Sequence, residues 1–278
     1  MCRIIHKREM DFIMKMSKDD ILWYYNEINN TINEFSEVIA QNSEKINKDK
    51  KLKYIIYYAG ILCKYGESIS LLKNMDLNMS IESLSRDMLE YYAVIKNMFE
   101  LYNGKEFDSY LKYLRLLDLK QDMYIYTLIG QDDTIPKKEI PYFEKNYIEK
   151  FKKVLKKFDD YKFSTKTGYQ YLKTLFKKNW KKCPNKFKKS KHKVVTDALK
   201  SNKLLIHENN NKLYAMSGII YSDLCRYAHG NLGIIDDKLI RNNKIDFNGL
   251  GPNTEACIEI VYYCLKDVTE GLKKIINS

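Results

Sequence analysis

Chain breakers are scarce in this sequence: 278 residues contain only 4 Pro and 11 Gly. That excludes a turn-rich β architecture and favours long helices. Histidine is as rare, with 4 residues and no pair at metal-ligand spacing. The six Cys, at positions 2, 63, 183, 225, 257 and 264, form no CxxC. A zinc site is therefore not expected, no cofactor is implied, and the thiols read as packed groups in a reducing compartment.

Long apolar runs are also missing. The longest, about Tyr54 to Cys63, falls far short of the roughly 20 residues needed to span a bilayer. The N-terminal stretch MCRIIHKREMDF is charged throughout and has no apolar core, so no signal peptide is expected. These absences point to a cytoplasmic protein with no stable membrane insertion. Arginine is scarce beside lysine: Arg3, Arg8, Arg86, Arg115, Arg226 and Arg241 are the whole set. The surplus of Lys, Asn, Ile and Tyr matches AT-rich codon usage. Each internal Arg therefore says more than a Lys about a need for a planar, bidentate cation.

What is present is helical periodicity. Ser17 and Asp20 make a capping box, and Ile21, Tyr24, Tyr25, Ile28, Ile32, Phe35 and Ile39 follow at helical spacing to about residue 46. Further helices are predicted over about 50–73, 80–102 and 106–129, the last closed by Gly130. The core stripe of the third is Leu84, Met88, Tyr91, Ile95, Met98 and Phe99. QDDTIPKKEIP (131–141) reads as a linker between an N-terminal helical part, 1–130, and a C-terminal one, 142–278. The two are read together as one continuous helical domain. Helices at about 142–160, 167–181, 211–229 and 253–276 follow, with a small hairpin near 238–247 turning at Asn242-Asn243. The last carries Cys257, Val261, Cys264, Val268, Leu272 and Ile275 on one face. The predicted fold is an all-α bundle of roughly eight or nine helices.

Charge is distributed unevenly. Within the Lys-rich segment 161–196 there are 12 Lys and no acidic residue, while the rest of the chain is balanced, so the formal +12 resides in that window. Codon usage would spread Lys evenly and would not purge acids locally. Tyr161, Phe163, Tyr169, Tyr171, Phe176, Trp180 and Phe187 interleave with the lysines. Such a mixture suits a nucleic-acid backbone with stacked bases, RNA or single strands above all, with Lys177, Lys178, Lys181 and Lys182 as contacts. An anionic membrane, an acidic protein partner, or a solvated helix face with its aromatics in the core are the alternatives.

The second feature is YSDLCRYAHGN, residues 221–231. In the predicted helix 211–229, Leu213, Met216, Ile220, Leu224 and Tyr227 form an apolar seam. Beside it run Gly218, Ser222, Cys225 and His229, with Arg226 at the border and Gly230 ending the helix. His229 in the last turn is placed where the helix dipole favours its protonated form. On the third helix, Arg86 and Glu90 stand four apart, Arg first, which is the less favourable order for a local surface pair.

These residues resemble an all-helical bacterial family of unknown function that pairs R-x-x-x-E on one helix with S-x-x-x-H near the end of a later one. Here the first motif is Arg86 to Glu90, and the second is Cys225 to His229, with Cys in the usual Ser position and Ser222 one turn earlier. The resemblance covers about 55–275 and implies a shared site without an assigned activity. The chain also resembles the HEPN-type helical ribonucleases of bacterial toxin and phage-defence systems. Their Arg and His are separated by four to six residues, whereas Arg226 and His229 are separated by two. The implied reaction class is metal-independent RNA cleavage. His229 and Glu90 would share the acid and base roles, Arg86 and Arg226 would clamp the phosphate, and Ser222 or Asn231 would position it. Two alternatives stand beside this hydrolase. One is a non-catalytic nucleic-acid or acidic-partner binding protein; the other is an Arg-Glu-His network that only ties helices together.

Overall fold

The computed structural model describes residues 16–72, 78–129, 140–156, 163, 168–189, 193–195, 221, 240–241, 244–245 and 254–278. Among them the α-helices are α1 (Lys18–Gln41), α2 (Ser43–Lys48), α3 (Lys50–Leu72), α4 (Asn78–Leu101), α5 (Phe107–Ile129), α6 (Ile140–Leu155), α7 (Tyr169–Lys182) and α8 (Thr254–Asn277). A 3-10 turn follows α7 at Asn185–Phe187, and β1 (Ile240–Arg241) pairs antiparallel with β2 (Lys244–Ile245), Ile240 opposite Ile245. The fold is all-α with the small hairpin where the turn signal placed it. Gly130, most of the 211–229 helix, and Cys225, Arg226, His229 and Asn231 lie outside the described residues.

The chain forms two compact units, Met1–Glu100 with Ser190–Ser278, and Leu101–Lys189. These boundaries differ from a division at 131–141, because the last helix returns to pack on the first ones.

In the first unit the capping box closes as the sequence predicts. Ser17 Oγ accepts from the Asp20 N–H at 3.1 Å, and the Asp20 carboxylate accepts from the Ser17 N–H at 3.1 Å. The first helix stops at Gln41 instead of running to 46. Asn42 turns its amide back onto the Val38 carbonyl at 2.8 Å, and its own backbone leaves helical geometry. Asp49 then starts α3, its carboxylate accepting from the N–H groups of Lys51 and Leu52 at 2.7 and 3.0 Å.

The centre of this unit is α8, packed against α1 and α3 and buried on most sides. The predicted face holds through Leu272, but Ile276 is the buried residue at its end and Ile275 is only half-buried. Gly66 on α3 allows that approach. A Cβ there would lie 2.9 Å from Leu265 and 3.2 Å from Ile32. Because α8 is enclosed, its polar groups need partners. Asp267 accepts from the Tyr92 hydroxyl and the Lys96 ammonium, both at 2.8 Å, and Glu259 accepts from the Tyr24 hydroxyl at 3.0 Å. On α4 the buried stripe runs through Ile81, Met88, Leu89, Tyr92, Ile95 and Met98. Tyr91 and Phe99, predicted for it, sit at its edge because Tyr92 turns inward to reach Asp267.

The described cysteines, Cys63, Cys183, Cys257 and Cys264, are buried free thiols. Burial pushes Cys63 up to about 12, with Glu67 adding to the effect. This is the behaviour of a packed thiol and not of a nucleophile.

The second unit packs α5, α6 and α7 on one another. Its core includes Phe107, Leu111, Leu116, Leu119, Phe151, Leu155 and Leu172. α6 begins two residues before the predicted start, with Pro141 in its first turn, where the missing N–H has no helical partner to lose. It ends at Leu155, short of 160.

Candidate nucleic-acid interface

Almost all of the net charge belongs to the second unit. Leu101–Lys189 holds 22 basic and 11 acidic residues, which is 11 of the 12 formal positive charges. α7 sets much of it in one plane. Its helical period turns Leu172, Leu175, Phe176 and Asn179 inward. The opposite face exposes Gln170, Tyr171, Thr174, Lys177, Lys178, Lys181 and Lys182, and no acid stands on it. Among the described residues Lys177, Lys178 and Lys181 form no ion pair with a carboxylate, whereas Lys186 is paired with Glu106.

The aromatic residues interleaved with these lysines mostly do something other than stack on bases. Phe176 and Phe187 are buried at 6% and 9% exposure. Trp180 stacks on Phe176 with ring centroids 5.8 Å apart and packs against Tyr113 at the same distance. Tyr169 lies against Tyr126 at 4.4 Å. Aromatic rings share the core of this unit with its leucines, and the i, i+4 pair Phe176 and Trp180 of α7 turns toward it. Tyr171, at 55% exposure, is the aromatic side chain that α7 leaves open. Tyr161 lies outside the described residues.

The patch is wider than the acid-free window. Lys120 on α5 holds its ammonium 5.3 Å from the Trp180 ring centroid, and Lys188, beyond the 3-10 turn, holds its own 5.9 Å away. Lys112 and Lys188 both act on the Cys183 thiol, lowering its pKa against the larger raising effect of burial. Counting charge along the sequence misses Lys112 and Lys120 because acids separate them from the window; only the packing of α5 on α7 brings them in.

In the first unit, Arg86 and Glu90 form an ion pair at 3.2 Å, each side chain a little under one-fifth exposed, and Arg86 also reaches Asp87 at 2.9 Å. The fully buried Tyr221 donates its hydroxyl to the same Glu90 oxygen at 3.3 Å. Tyr65 of α3 completes the surroundings. Burial raises its pKa first, and the charges of Asp87 and Glu90 add to it. The ring of Tyr91 lies 5.6 Å from it. Tyr221 opens the YSDLCRYAHGN stretch, yet nothing in its spacing singled it out as a partner of Glu90. Ser222, Arg226, His229 and Asn231 lie outside the described residues. Among the described residues no three His, Cys, Asp or Glu side chains gather as metal ligands would.

No family model, curated protein or solved structure matches this chain. What the two clusters do is therefore argued from their own chemistry. The α7 face presents exposed cations with no acid among them. The Arg86–Glu90–Tyr221 cluster holds a carboxyl group, a guanidinium and a phenol already engaged with one another.

Proposed function

We propose that this protein binds nucleic acid through the lysine face of its second unit. The supporting observation is that Lys177, Lys178, Lys181 and Lys182 share one exposed, acid-free helix face in a unit that carries 11 of the 12 net charges. A solvated face kept for solubility would mix signs; a uniform one repels itself and gains by meeting phosphates. Affinity then comes from counterion release and falls steeply with salt, from a dissociation constant on the order of micromolar or weaker at physiological salt. Fluorescence anisotropy with labelled RNA and DNA tests it. Changing the four lysines to Gln lowers affinity by at least about a hundredfold at low salt. Equal affinity of that variant, or no binding by the native protein, removes the reading.

A second reading is RNA cleavage in the first unit, as in toxin or phage-defence effectors. One observation favours it: the Tyr221–Glu90 hydrogen bond brings the residue next to Ser222 onto the helix that carries Arg86. In this reading His229 and Glu90 exchange the proton and Arg86 and Arg226 hold the phosphate. His229→Ala abolishes cleavage and leaves RNA affinity unchanged; native protein that leaves varied RNAs intact removes the hydrolase and keeps the binding protein.

A further inference from the structure

Trp180 is an unusual aromatic for a basic surface because two ammonium groups from different segments settle on it. Lys120 comes from α5 and Lys188 from beyond the 3-10 turn, at 5.3 and 5.9 Å from the ring centroid. Like charges do not converge without a reason, and among the described residues neither has a carboxylate partner. Among the described residues the Lys188 ammonium meets neutral acceptors, the Asn185 side chain and the Lys181 carbonyl, at 3.4 and 3.5 Å. The indole π-face supplies an attraction for each of the two cations. The ring is in turn fixed by Phe176 and Tyr113. Its surroundings are already filled by packed rings and ammonium groups, so it is poorly placed to stack on a nucleic-acid base.

We infer that Trp180 is the positioning residue of a phosphate clamp, in which Lys120 and Lys188 grip the backbone beside the lysine face of α7. The inference rests on the nucleic-acid reading and specifies its mode. Cations from α5 and the segment after the 3-10 turn, both held at one ring on α7, recognise the phosphodiester backbone and not the bases. A recognition of this kind follows charge density. A duplex presents one charge per roughly 1.7 Å of its axis, twice the density of a single strand, and is the favoured ligand. A surface built on base stacking would instead favour the single strand.

The experiment is a salt titration of affinity, by anisotropy, with a short labelled duplex and with one of its strands, on the full chain. Native protein binds the duplex at least as tightly as the strand. Lys120→Gln with Lys188→Gln lowers the slope of log affinity against log salt by about 2, since each lost phosphate contact removes about 0.9. Trp180→Leu gives a similar loss of slope, and Trp180→Phe, which keeps a π-face, restores most of it. A purely structural role for the ring would not change the slope in that pattern. Circular dichroism confirms that each variant is folded, and the lysine pair decides the matter should Trp180→Leu fail to fold. A native slope in the lysine-pair variant, with binding still lost when Lys177, Lys178, Lys181 and Lys182 are changed, overturns the clamp and leaves the nucleic-acid reading standing. Tighter binding to the single strand also overturns it. No binding by the native protein overturns both.

Discussion

Tyr221 donates its phenolic hydroxyl to Glu90 across 3.3 Å, linking positions 131 apart in the chain. The same carboxylate oxygen accepts from Arg86 at 3.2 Å. This explains why Arg precedes Glu on α4, against the order that suits a solitary surface pair. The pair serves a tertiary partner, and the carboxylate is held by a cation and a hydroxyl together.

Removing the hydroxyl alone should be mild. Tyr221→Phe keeps the packing of a ring that is 1% exposed and loses one hydrogen bond at the long end of the range, a cost of about 1 kcal/mol. Tyr221→Ala empties the site and costs roughly 3–5 kcal/mol. Urea unfolding measures both. Equal losses from the two would mean that the hydroxyl, and not the ring, holds this segment to α4.

The buried pair of Lys96 and Asp267 should be less forgiving. Asp267 has 3% of its side chain exposed and leans on Lys96 and Tyr92. Lys96→Met leaves that carboxylate buried without its cation and costs about 3–5 kcal/mol. Adding Asp267→Leu recovers much of the loss, because no buried charge remains. Thermal unfolding of the single and double variants tests this, and a double variant less stable than Lys96→Met contradicts it.

Helix existence was legible in the sequence wherever apolar residues kept a 3.6 period, from Tyr25 and Ile28 on α1 to Val268 and Leu272 on α8. What periodicity could not convey was which of two adjacent aromatics turns inward. Tyr92 wins over Tyr91 because a carboxylate on a distant helix needs its hydroxyl. The lysine face of α7 was legible as an acid-free window, but its spacing left open whether the aromatics face bases or the core; Phe176 and Phe187 are in the core and Trp180 stacks on Phe176. Lys120 and Tyr221 were invisible as site residues for one reason: each acquires its neighbour from tertiary packing, which local spacing does not encode.

Glu259 gives a pH-dependent prediction. It is buried on α8, and burial raises its carboxyl pKa above the ordinary value, with the Tyr24 hydroxyl opposing in part. A raised folded-state pKa means that the protonated form folds better. Its contribution is complete below the usual glutamate range and is lost as pH rises through the folded value. Glu259→Gln keeps an acceptor for Tyr24 and removes the charge. The variant therefore gains melting temperature over the native protein at neutral pH, and the difference closes as pH falls below about 4. A difference that widens towards acid reverses the sign and refutes the assignment.

Gly271 on α8 is required by one neighbour. A Cβ at this position would lie 2.5 Å from Cε2 of Phe99 and 3.0 Å from Cδ2 and Cζ, so the ring must move to admit even alanine. Two effects oppose each other in Gly271→Ala. Helix propensity favours Ala by about 1 kcal/mol, and overpacking costs roughly 1–3 kcal/mol. A phenyl ring yields only by turning as a whole, and this one also lies under the Lys96 ammonium, 5.9 Å from its centroid. The steric cost therefore wins, and Gly271→Ala lowers stability by about 1 kcal/mol. Phe99→Leu removes the obstructing edge, so in that background Gly271→Ala becomes neutral or stabilising. A double-mutant cycle by urea unfolding reads the coupling directly. Additive effects of the two changes would show that Phe99 is not what holds position 271 to glycine.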